Sequence, residues 1–133
     1  ENSADEAWMA NDNEGGWSKS LYDAFGRAVK TEDKAGNTVQ NTFDPNGNLT
    51  VSVSSTKKAD GSPDKVITST TIYDELNRPV EVRVSAPGVT DLVTLKKYNS
   101  LGQVIEVTDP EGNLTIMIQD FQGNVLTTKR EMR

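Results

Sequence analysis

The sequence predicts an all-β fold, an antiparallel β-hairpin meander of about ten strands that forms a curved sheet or a segment of a β-solenoid. Three observations predict it. A five-residue turn phrase occurs five times, turn signals recur every 10 to 14 residues, and the segments between the turns alternate apolar and polar residues. A phrase that recurs in this way indicates an architectural unit rather than a single site.

Each copy of the phrase places an Asp or Asn three positions before a Gly or Asn. An aromatic residue precedes the Asp or Asn in four copies, and Gln119 precedes it in the fifth. In every copy a polar residue and then an apolar run follow the phrase. The five copies are Tyr22–Gly26, Phe43–Gly47, Tyr73–Asn77, Tyr98–Gly102 and Gln119–Gly123.

The residue types in the phrase predict a type I turn closed by a residue in the left-handed region. Asp or Asn accepts hydrogen bonds from nearby backbone N–H groups, and Gly or Asn tolerates a positive φ. Pro45 and Pro110 preset φ at the second turn position. The structural turn residues are therefore Tyr22, Asp23, Gly26, Arg27, Asp44, Pro45, Gly47, Tyr73, Asp74, Asn77, Tyr98, Asn99, Gly102, Asp109, Pro110, Gly112, Asp120 and Gly123.

Weaker turn signals lie between the five copies and complete the meander. They occur at 33–36, 59–63, 85–88 and 109–112. The one stretch where a helix competes is 4–10 at the N-terminus. The ten predicted strands are 17–22, 27–32, 37–43, 48–57, 64–73, 78–86, 91–98, 103–108, 113–119 and 124–130.

The predicted strands alternate as half-buried strands do. Val80, Val82 and Val84 alternate with polar neighbours, and Leu114 and Ile116 do the same around Thr115. Alternation of this kind is typical of an antiparallel sheet with one apolar and one polar face. We therefore expect one face to be apolar throughout.

The stretch from Tyr22 to Val29 reads aromatic-Asp-x-x-Gly-Arg-x-Val, and it resembles the YD repeat of the rearrangement-hotspot (RHS) proteins. The resemblance covers about residues 20–130 and depends on five copies with Asp-Pro-x-Gly-Asn turns between them. It implies β-hairpins that build the wall of a hollow β-shell, as in toxin-complex shell components, wall-associated proteins and teneurins. It also implies a secreted or cell-surface bacterial protein. We expect no signal peptide in this chain and assign no catalytic role to Asp44 or Asp109.

Charge divides the sequence into two parts. Residues 1–16 carry five acidic and no basic side chains, whereas the remaining chain is near neutral, with 15 acidic and 14 basic residues. We therefore predict an acidic, flexible leader at 1–16 and a repeat domain at 17–133. A near-neutral surface lacks the basic stripe that nucleic-acid binding requires. No apolar run approaches the ~20 residues of a membrane helix, so we expect no membrane insertion.

The composition favours a protein without catalytic activity or a cofactor. The sequence contains no His and no Cys, which removes the commonest general base, the thiol nucleophile and most transition-metal sites. The carboxylates near aromatic residues are accounted for by turns. Residues 11–15 are rich in oxygen ligands, but they do not complete a calcium-binding loop, and we interpret them as polar leader.

Two classes of function remain open. The first is a non-catalytic structural scaffold segment, whose partners are other repeats of a parent protein or a second copy bound through a sheet edge. The second is a module that binds a glycan or a protein through exposed aromatic residues or an edge strand. Tyrosines that pack across hairpins favour the scaffold, and an exposed aromatic row favours binding. Trp8 is expected to hold the leader on the sheet or on an unpaired edge, and Trp17 to begin the first strand.

Overall fold

The computed structural model describes residues 6–9, through their backbone, and residues 18–133, and the fold is all-β. These residues contain no helix and form eleven strands. The strands are β1 (Glu6–Met9), β2 (Ser18–Tyr22), β3 (Ala28–Asp33), β4 (Thr38–Phe43), β5 (Leu49–Thr56), β6 (Lys65–Tyr73), β7 (Pro79–Ser85), β8 (Leu92–Tyr98), β9 (Val104–Thr108), β10 (Leu114–Gln119) and β11 (Val125–Glu131).

Hydrogen-bonded neighbours follow the order of the chain from β1 to β11, which confirms the predicted antiparallel meander. The ten predicted strands correspond to β2 through β11. From β2 to β11, a turn or short loop joins each strand to the next, so no crossover connection is required among these strands. No helix among the described residues is long and apolar enough to cross a membrane.

β1 lies in the segment where the sequence left a helix open, and that alternative is wrong for Glu6–Met9. β1 pairs with β2 in antiparallel register, with Trp8 opposite Lys19. The interpretation of 11–15 as polar leader and the placement of Trp17 concern positions outside the described residues.

The described chain divides into two compact units. The first comprises the residues up to Ser69 together with Ser85–Val89, and therefore contains β1 to β5 and the first part of β6. The second comprises Thr70–Val84 and Thr90–Arg133, and contains most of β7 and all of β8 to β11. Both units consist of antiparallel hairpins, so the same local rules apply in each.

The expectation of a single apolar face is wrong in the second unit. Val82 pairs with Thr94 in β8, and Lys96, two residues after Thr94, pairs with Val107 in β9. Val107 in turn pairs with Thr115 in β10, so Thr115 lies on the same face as Val82. Leu114 and Ile116 therefore lie on the opposite face from the β7 valines. A strand's apolar set changes face whenever its register shifts by one residue, so alternation within single strands does not predict agreement between strands.

Burial follows from this mixed arrangement. No apolar side chain among the described residues is fully buried, and Asn113 is the one buried polar residue, with 4% exposure. Most strand residues are half-buried by their neighbours in the same sheet. Each described unit is therefore stabilised by hydrogen bonds and contacts along the strands rather than by a closed core.

A bulge recurs at the same place in four hairpins. Tyr98 pairs with Val104, whereas Lys97 pairs with Glu106, which leaves Ile105 without a residue opposite it. A bulge of this kind increases the local twist and redirects side chains. The corresponding extra residues in the other three hairpins are Val29, Thr50 and Leu126.

Candidate functional site

The most regular feature of the described chain is the construction of its turns. Each of seven turns begins with an Asp or Asn, which we call the turn acceptor, and ends four positions later with a polar residue, which we call the clamp residue. The acceptor–clamp pairs are Asp23–Arg27, Asp33–Asn37, Asp44–Asn48, Asp74–Arg78, Asn99–Gln103, Asp109–Asn113 and Asp120–Asn124.

The backbone of these turns repeats closely. The acceptor N–H donates to the clamp carbonyl, and the N–H of the intervening Gly or Asn donates to the acceptor carbonyl, all over 2.9–3.0 Å. This is a type I turn closed by a residue in the left-handed region. Asn77 adopts φ 60° where the other six turns have Gly, because Asn is among the few residues that tolerate this conformation.

The acceptor side chain accepts a second set of hydrogen bonds within the turn. In the third copy, Asp74 Oδ1 accepts the N–H groups of Leu76 and Arg78, at 2.9 and 3.0 Å. Its Oδ2 accepts Arg78 Nε at 2.7 Å. One carboxylate thus satisfies two backbone donors and one side chain, which accounts for the recurrence of Asp at this position.

These bonds lower the pKa of all six turn aspartates below the usual value. For five of them the largest cause is the hydrogen bond from the clamp side chain, which favours the charged carboxylate. At Asp23 partial desolvation opposes the lowering of the pKa, and bonds from Arg27 and from the Phe25 N–H outweigh it.

In the fourth copy, the hydrogen bond between the side chains of the turn acceptor and the clamp residue runs in the opposite direction. Asn99 Oδ1 accepts the N–H groups of Leu101 and Gln103, each at 3.0 Å, as an aspartate would. Its Nδ2, however, donates to Gln103 Oε1 at 2.7 Å. Asp acceptors face Arg or Asn, both of which donate, whereas this Asn faces Gln, which accepts. The residue types of acceptor and clamp are therefore matched: Asp occurs with a clamp residue that donates, and Asn occurs with one that accepts.

We expect Asn99→Asp to lower the melting temperature, although Asp is the acceptor in the other six turns. The new carboxylate would face Gln103 Oε1, and turning the Gln103 amide would remove the bond that its Nε2 donates to the Asp120 carbonyl at 2.7 Å. The loss should shrink at acidic pH, where the carboxyl is protonated and can donate. Thermal unfolding at two pH values tests this.

Asp120→Asn is the matched control for that prediction. Asn124 is exposed and bonds Asp120 with its side-chain amide, which can turn to present its oxygen. This reverse exchange should therefore be tolerated. Equal losses in Asn99→Asp and Asp120→Asn would contradict the matching of acceptor and clamp.

Clamp residues also reach the neighbouring hairpin. The Arg27 guanidinium lies 4.4 Å from the ring centroid of Phe43 within the first unit. In the second unit, the Arg78 guanidinium lies 4.5 Å from the centroid of Tyr98. Each arginine therefore bonds the Asp of its own turn and stacks on the aromatic residue that opens the next copy. This double role explains why Arg and an aromatic residue occur together in the repeat.

A second contact joins neighbouring hairpins through the backbone. Tyr98 Oη donates to the Pro79 carbonyl at 2.8 Å, and Gln119 Nε2 donates to the Val104 carbonyl at 2.7 Å. Both accepting residues directly follow a clamp residue. Ala28 occupies the same place in the first unit, where Phe43 cannot donate, and Asn41 Nδ2 bonds the Ala28 carbonyl at 3.1 Å instead. In the second unit, the residue before the turn acceptor therefore links hairpins, through the hydroxyl of Tyr98 and the side-chain amide of Gln119.

The structure brings the sequence-predicted turn residues together turn by turn, not in one cluster. Tyr22 and Tyr73 are half-buried at the ends of β2 and β6, and Pro45 and Pro110 lie at the turn tips. Of the clamp residues, the sequence analysis singled out Arg27 alone. The sequence analysis noted a polar residue after each phrase but missed that this residue is Arg, Asn or Gln in every copy.

Among residues 18–133, the most exposed aromatic residues are phenylalanines at turn tips. Phe25 is 83% exposed in the first unit, and Phe121 is 81% exposed in the second. Leu76 and Leu101 are also exposed at turn tips of the second unit. The tyrosines Tyr22, Tyr73 and Tyr98 are half-buried, and the Tyr98 hydroxyl is already bonded. Apolar turn tips are therefore better placed than tyrosines to contact a partner.

The first unit contains one small cavity among its described residues. A cavity of about 50 Å³ lies over β2 and β3, lined by Lys19, Leu21, Lys30 and Glu32. Ligand pockets usually enclose about 300–1,000 Å³, so this cavity is too small for a sugar ring. Among residues 6–9 and 18–133, no three acidic residues lie close enough together to hold a metal ion.

The chain matches no protein-family model, and it matches none of the curated proteins.

Proposed function

We propose that this chain is a non-catalytic scaffold segment of an RHS/YD-repeat surface or toxin protein, forming part of the wall of a β-shell that encloses or displays other domains. The observation that carries the proposal is the use of the repeated polar side chains. Acceptor and clamp residues bond their own turn, and the clamp residue Gln103 also donates to the Asp120 carbonyl in the next hairpin. The residues that precede two of the acceptors, Tyr98 and Gln119, donate to backbone carbonyls of the preceding hairpin. Side chains used in this way position backbone and are not available for chemistry.

Two further features support a scaffold. The chain has no His or Cys, and the pKa values of the turn aspartates are lowered, which keeps them ionised at neutral pH and unsuited to act as general acids. Contacts between neighbouring hairpins follow one pattern in both units, as expected for an array whose stability is a sum of nearest-neighbour terms. In this proposal the segment is secreted or surface-exposed and needs no cofactor.

Removing one whole repeat tests the proposal. Asn99 and Asp120 are 21 residues apart, as are Asp23 and Asp44. Deleting residues 99–119 joins Tyr98 directly to Asp120, so Tyr98 replaces Gln119 as the residue before the turn. In an array of interchangeable hairpins this variant should still unfold cooperatively, at a lower denaturant midpoint because one interface is lost.

The matched control removes one residue fewer. Deleting 99–118 leaves Gln119 between Tyr98 and Asp120, which shifts the alternation of β8 relative to the turn and moves its side chains to the other face. We expect this variant to lose most of its cooperative transition in urea unfolding followed by circular dichroism. If both deletions unfold the protein equally, the repeats are not interchangeable and the scaffold proposal fails.

The exposed phenylalanines favour a second candidate, a module that binds a glycan or a protein. Phe25 and Phe121 project from turn tips, where removal of the ring should cost little stability. A glycan-array and protein-binding screen would decide. Binding that is lost in Phe121→Ala at an unchanged melting temperature supports this role, and the absence of any ligand for the wild-type chain argues against it.

A further inference from the structure

The turn between β4 and β5 contains the one Asn-Gly pair of the sequence, Asn46 and Gly47. In the other six acceptor–clamp turns, the residue at the place of Asn46 is Phe, Ala, Leu, Leu, Glu or Gln. Both Asn46 and Gly47 are exposed, so water reaches them. Asn is a thermolabile residue, and a following Gly has no side chain that hinders approach to its backbone nitrogen. This turn therefore combines an accessible side-chain amide with an unhindered nitrogen that can attack it.

The reaction that such a pair undergoes is deamidation through a cyclic imide. The backbone nitrogen of Gly47 attacks Cγ of Asn46, and a bond forms between these two atoms. The bond between Cγ and Nδ2 breaks, and Nδ2 leaves as ammonia with the proton that the Gly47 nitrogen loses. Water then opens the ring on either side of that nitrogen. Opening at Cγ gives Asp at position 46, whereas opening at the backbone carbonyl carbon gives isoaspartate, in which the main chain runs through Cβ and Cγ.

The closed turn holds the attacking nitrogen away from Cγ. The Gly47 N–H donates to the Asp44 carbonyl at 3.0 Å, and this hydrogen bond must break before the nitrogen can lose its proton. Asn46 occupies the third position of a type I turn, where ψ is about 0°. Ring closure requires rotation about that bond, and the turn resists the rotation because the Asp44 N–H is bonded to the Asn48 carbonyl at 2.9 Å. The geometry of the attack is therefore reached only when the turn opens.

The Asp44 carboxylate adds an electrostatic barrier to the attack. Its oxygens accept the Asn48 N–H at 2.8 Å and the Asn48 side-chain amide at 2.9 Å. The bond from the Asn48 side chain is the largest cause of the lowered pKa of Asp44, to which the Gly47 N–H also contributes. Asp44 is therefore ionised at neutral pH, and a deprotonated nitrogen at Gly47 would lie beside this negative charge.

We propose that Asn46 is a site of spontaneous deamidation, which the closed turn prevents and which opening of the β4–β5 hairpin permits. Water is the co-reactant, so the modification requires no enzyme. Its rate follows the fraction of molecules in which this turn is open, because local opening exposes a segment without unfolding the whole protein. Deamidation at Asn46 therefore records opening of the hairpin in covalent form, and it does so whether or not the chain is a scaffold.

The two products differ in their effect on the hairpin. Asp at position 46 keeps the backbone and adds one charge at an exposed turn tip, where a change usually affects stability little. Isoaspartate adds one atom to the main chain between Asp44 and Asn48. The bonds that join these two residues, at 2.9 Å between their backbones and at 2.8 Å to the carboxylate, depend on their separation along the chain. The isoaspartate form therefore does not close the turn again, and opening becomes irreversible in those molecules.

Mass spectrometry of the full chain measures the rate. Samples are incubated at neutral pH, and the fraction of peptides with an acid in place of the Asn46 amide is followed over time. We expect this rate to be roughly tenfold or more lower in the folded protein than in the same chain unfolded in urea. Asp44→Ala removes the acceptor of this turn and should raise the rate severalfold in buffer. Asp109→Ala is the matched control, because it removes the acceptor of a turn in the second unit that contains no Asn-Gly pair, and it should leave the rate at Asn46 unchanged.

Equal rates in the folded and the urea-unfolded wild type overturn the protection, and an Asp44→Ala rate no higher than that of Asp109→Ala overturns the role of this turn. If Asp44→Ala does not fold, the wild type in increasing urea decides. A rate that rises with the unfolded fraction supports the proposal, and a rate independent of urea rejects it. Asn46→Asp carries the charge of the products without the extra atom, so it should melt as the wild type does. An isoaspartate form, purified from aged protein, that melts at the same temperature as Asn46→Asp overturns the irreversibility.

Discussion

Asp74→Ala is expected to lower the melting temperature by roughly 10 °C, the largest effect of any single substitution in the turns. The change removes the acceptor for the Leu76 and Arg78 N–H groups and for the Arg78 guanidinium. Arg78 then loses the bond that holds it over the Tyr98 ring. The joint between the hairpins, by which we mean the contacts of one hairpin with the next, therefore weakens as well. Thermal unfolding followed by far-UV circular dichroism measures the loss.

Glu75→Ala provides the control, because it removes one negative charge from the same turn at an exposed position. Surface substitutions of this kind usually change stability little, and we expect almost no shift. A loss in Glu75→Ala as large as that in Asp74→Ala would show that net charge, rather than the turn bonds, determines the effect.

A substitution at Tyr98 tests whether the loss of stability in Asp74→Ala extends beyond one turn. Tyr98→Phe keeps the ring under Arg78 but removes the hydroxyl that donates to the Pro79 carbonyl. Both substitutions weaken the joint between β7 and β8, so their effects should be less than additive in a double-mutant cycle. Strict additivity would contradict the view that turn and joint act together.

Local turn chemistry made most of the fold predictable from the sequence. Asp44-Pro45-Asn46-Gly47 and similar stretches specify their own backbone, so strand limits follow from turn positions. The pairing of Asn99 with Gln103 was harder to predict, because it depends on which of two side chains donates. The bulge at Ile105 was not predictable from the alternation of apolar and polar residues. An extra residue changes the face on which the following side chains lie, but it leaves no break in the run of apolar residues.

The joints between hairpins depend on interactions between positions about twenty residues apart. The sequence suggested that an aromatic residue before a turn packs across its own hairpin. Tyr98 instead bonds Pro79 in the preceding hairpin, and Gln119 does the same to Val104 without an aromatic ring. The shared function is donation to the carbonyl of the residue after a clamp residue, which Tyr and Gln can both perform and which residue-type preferences do not reveal.

Acid should unfold the protein steeply, because six turn aspartates share the same linkage. Each has a folded pKa below its unfolded value of about 3.9, so its contribution to stability is complete above that value and is lost as pH falls through the folded pKa. The free energy of unfolding should therefore be level near neutral pH and fall below about pH 4. Urea titrations across the acidic range measure it.

Asp120→Asn isolates one of these six contributions. The Asn124 amide can turn to accept from the new side chain, as Gln103 accepts from Asn99, so the turn should persist without its carboxylate. The variant should then take up one proton fewer on acid unfolding, and the dependence of stability on pH should become shallower by that amount. Glu75→Gln, which removes a carboxylate outside the clamp, is the charge-matched control. An Asp120→Asn profile as steep as that of the wild type would show that acid unfolds the protein through groups other than the turn acceptors.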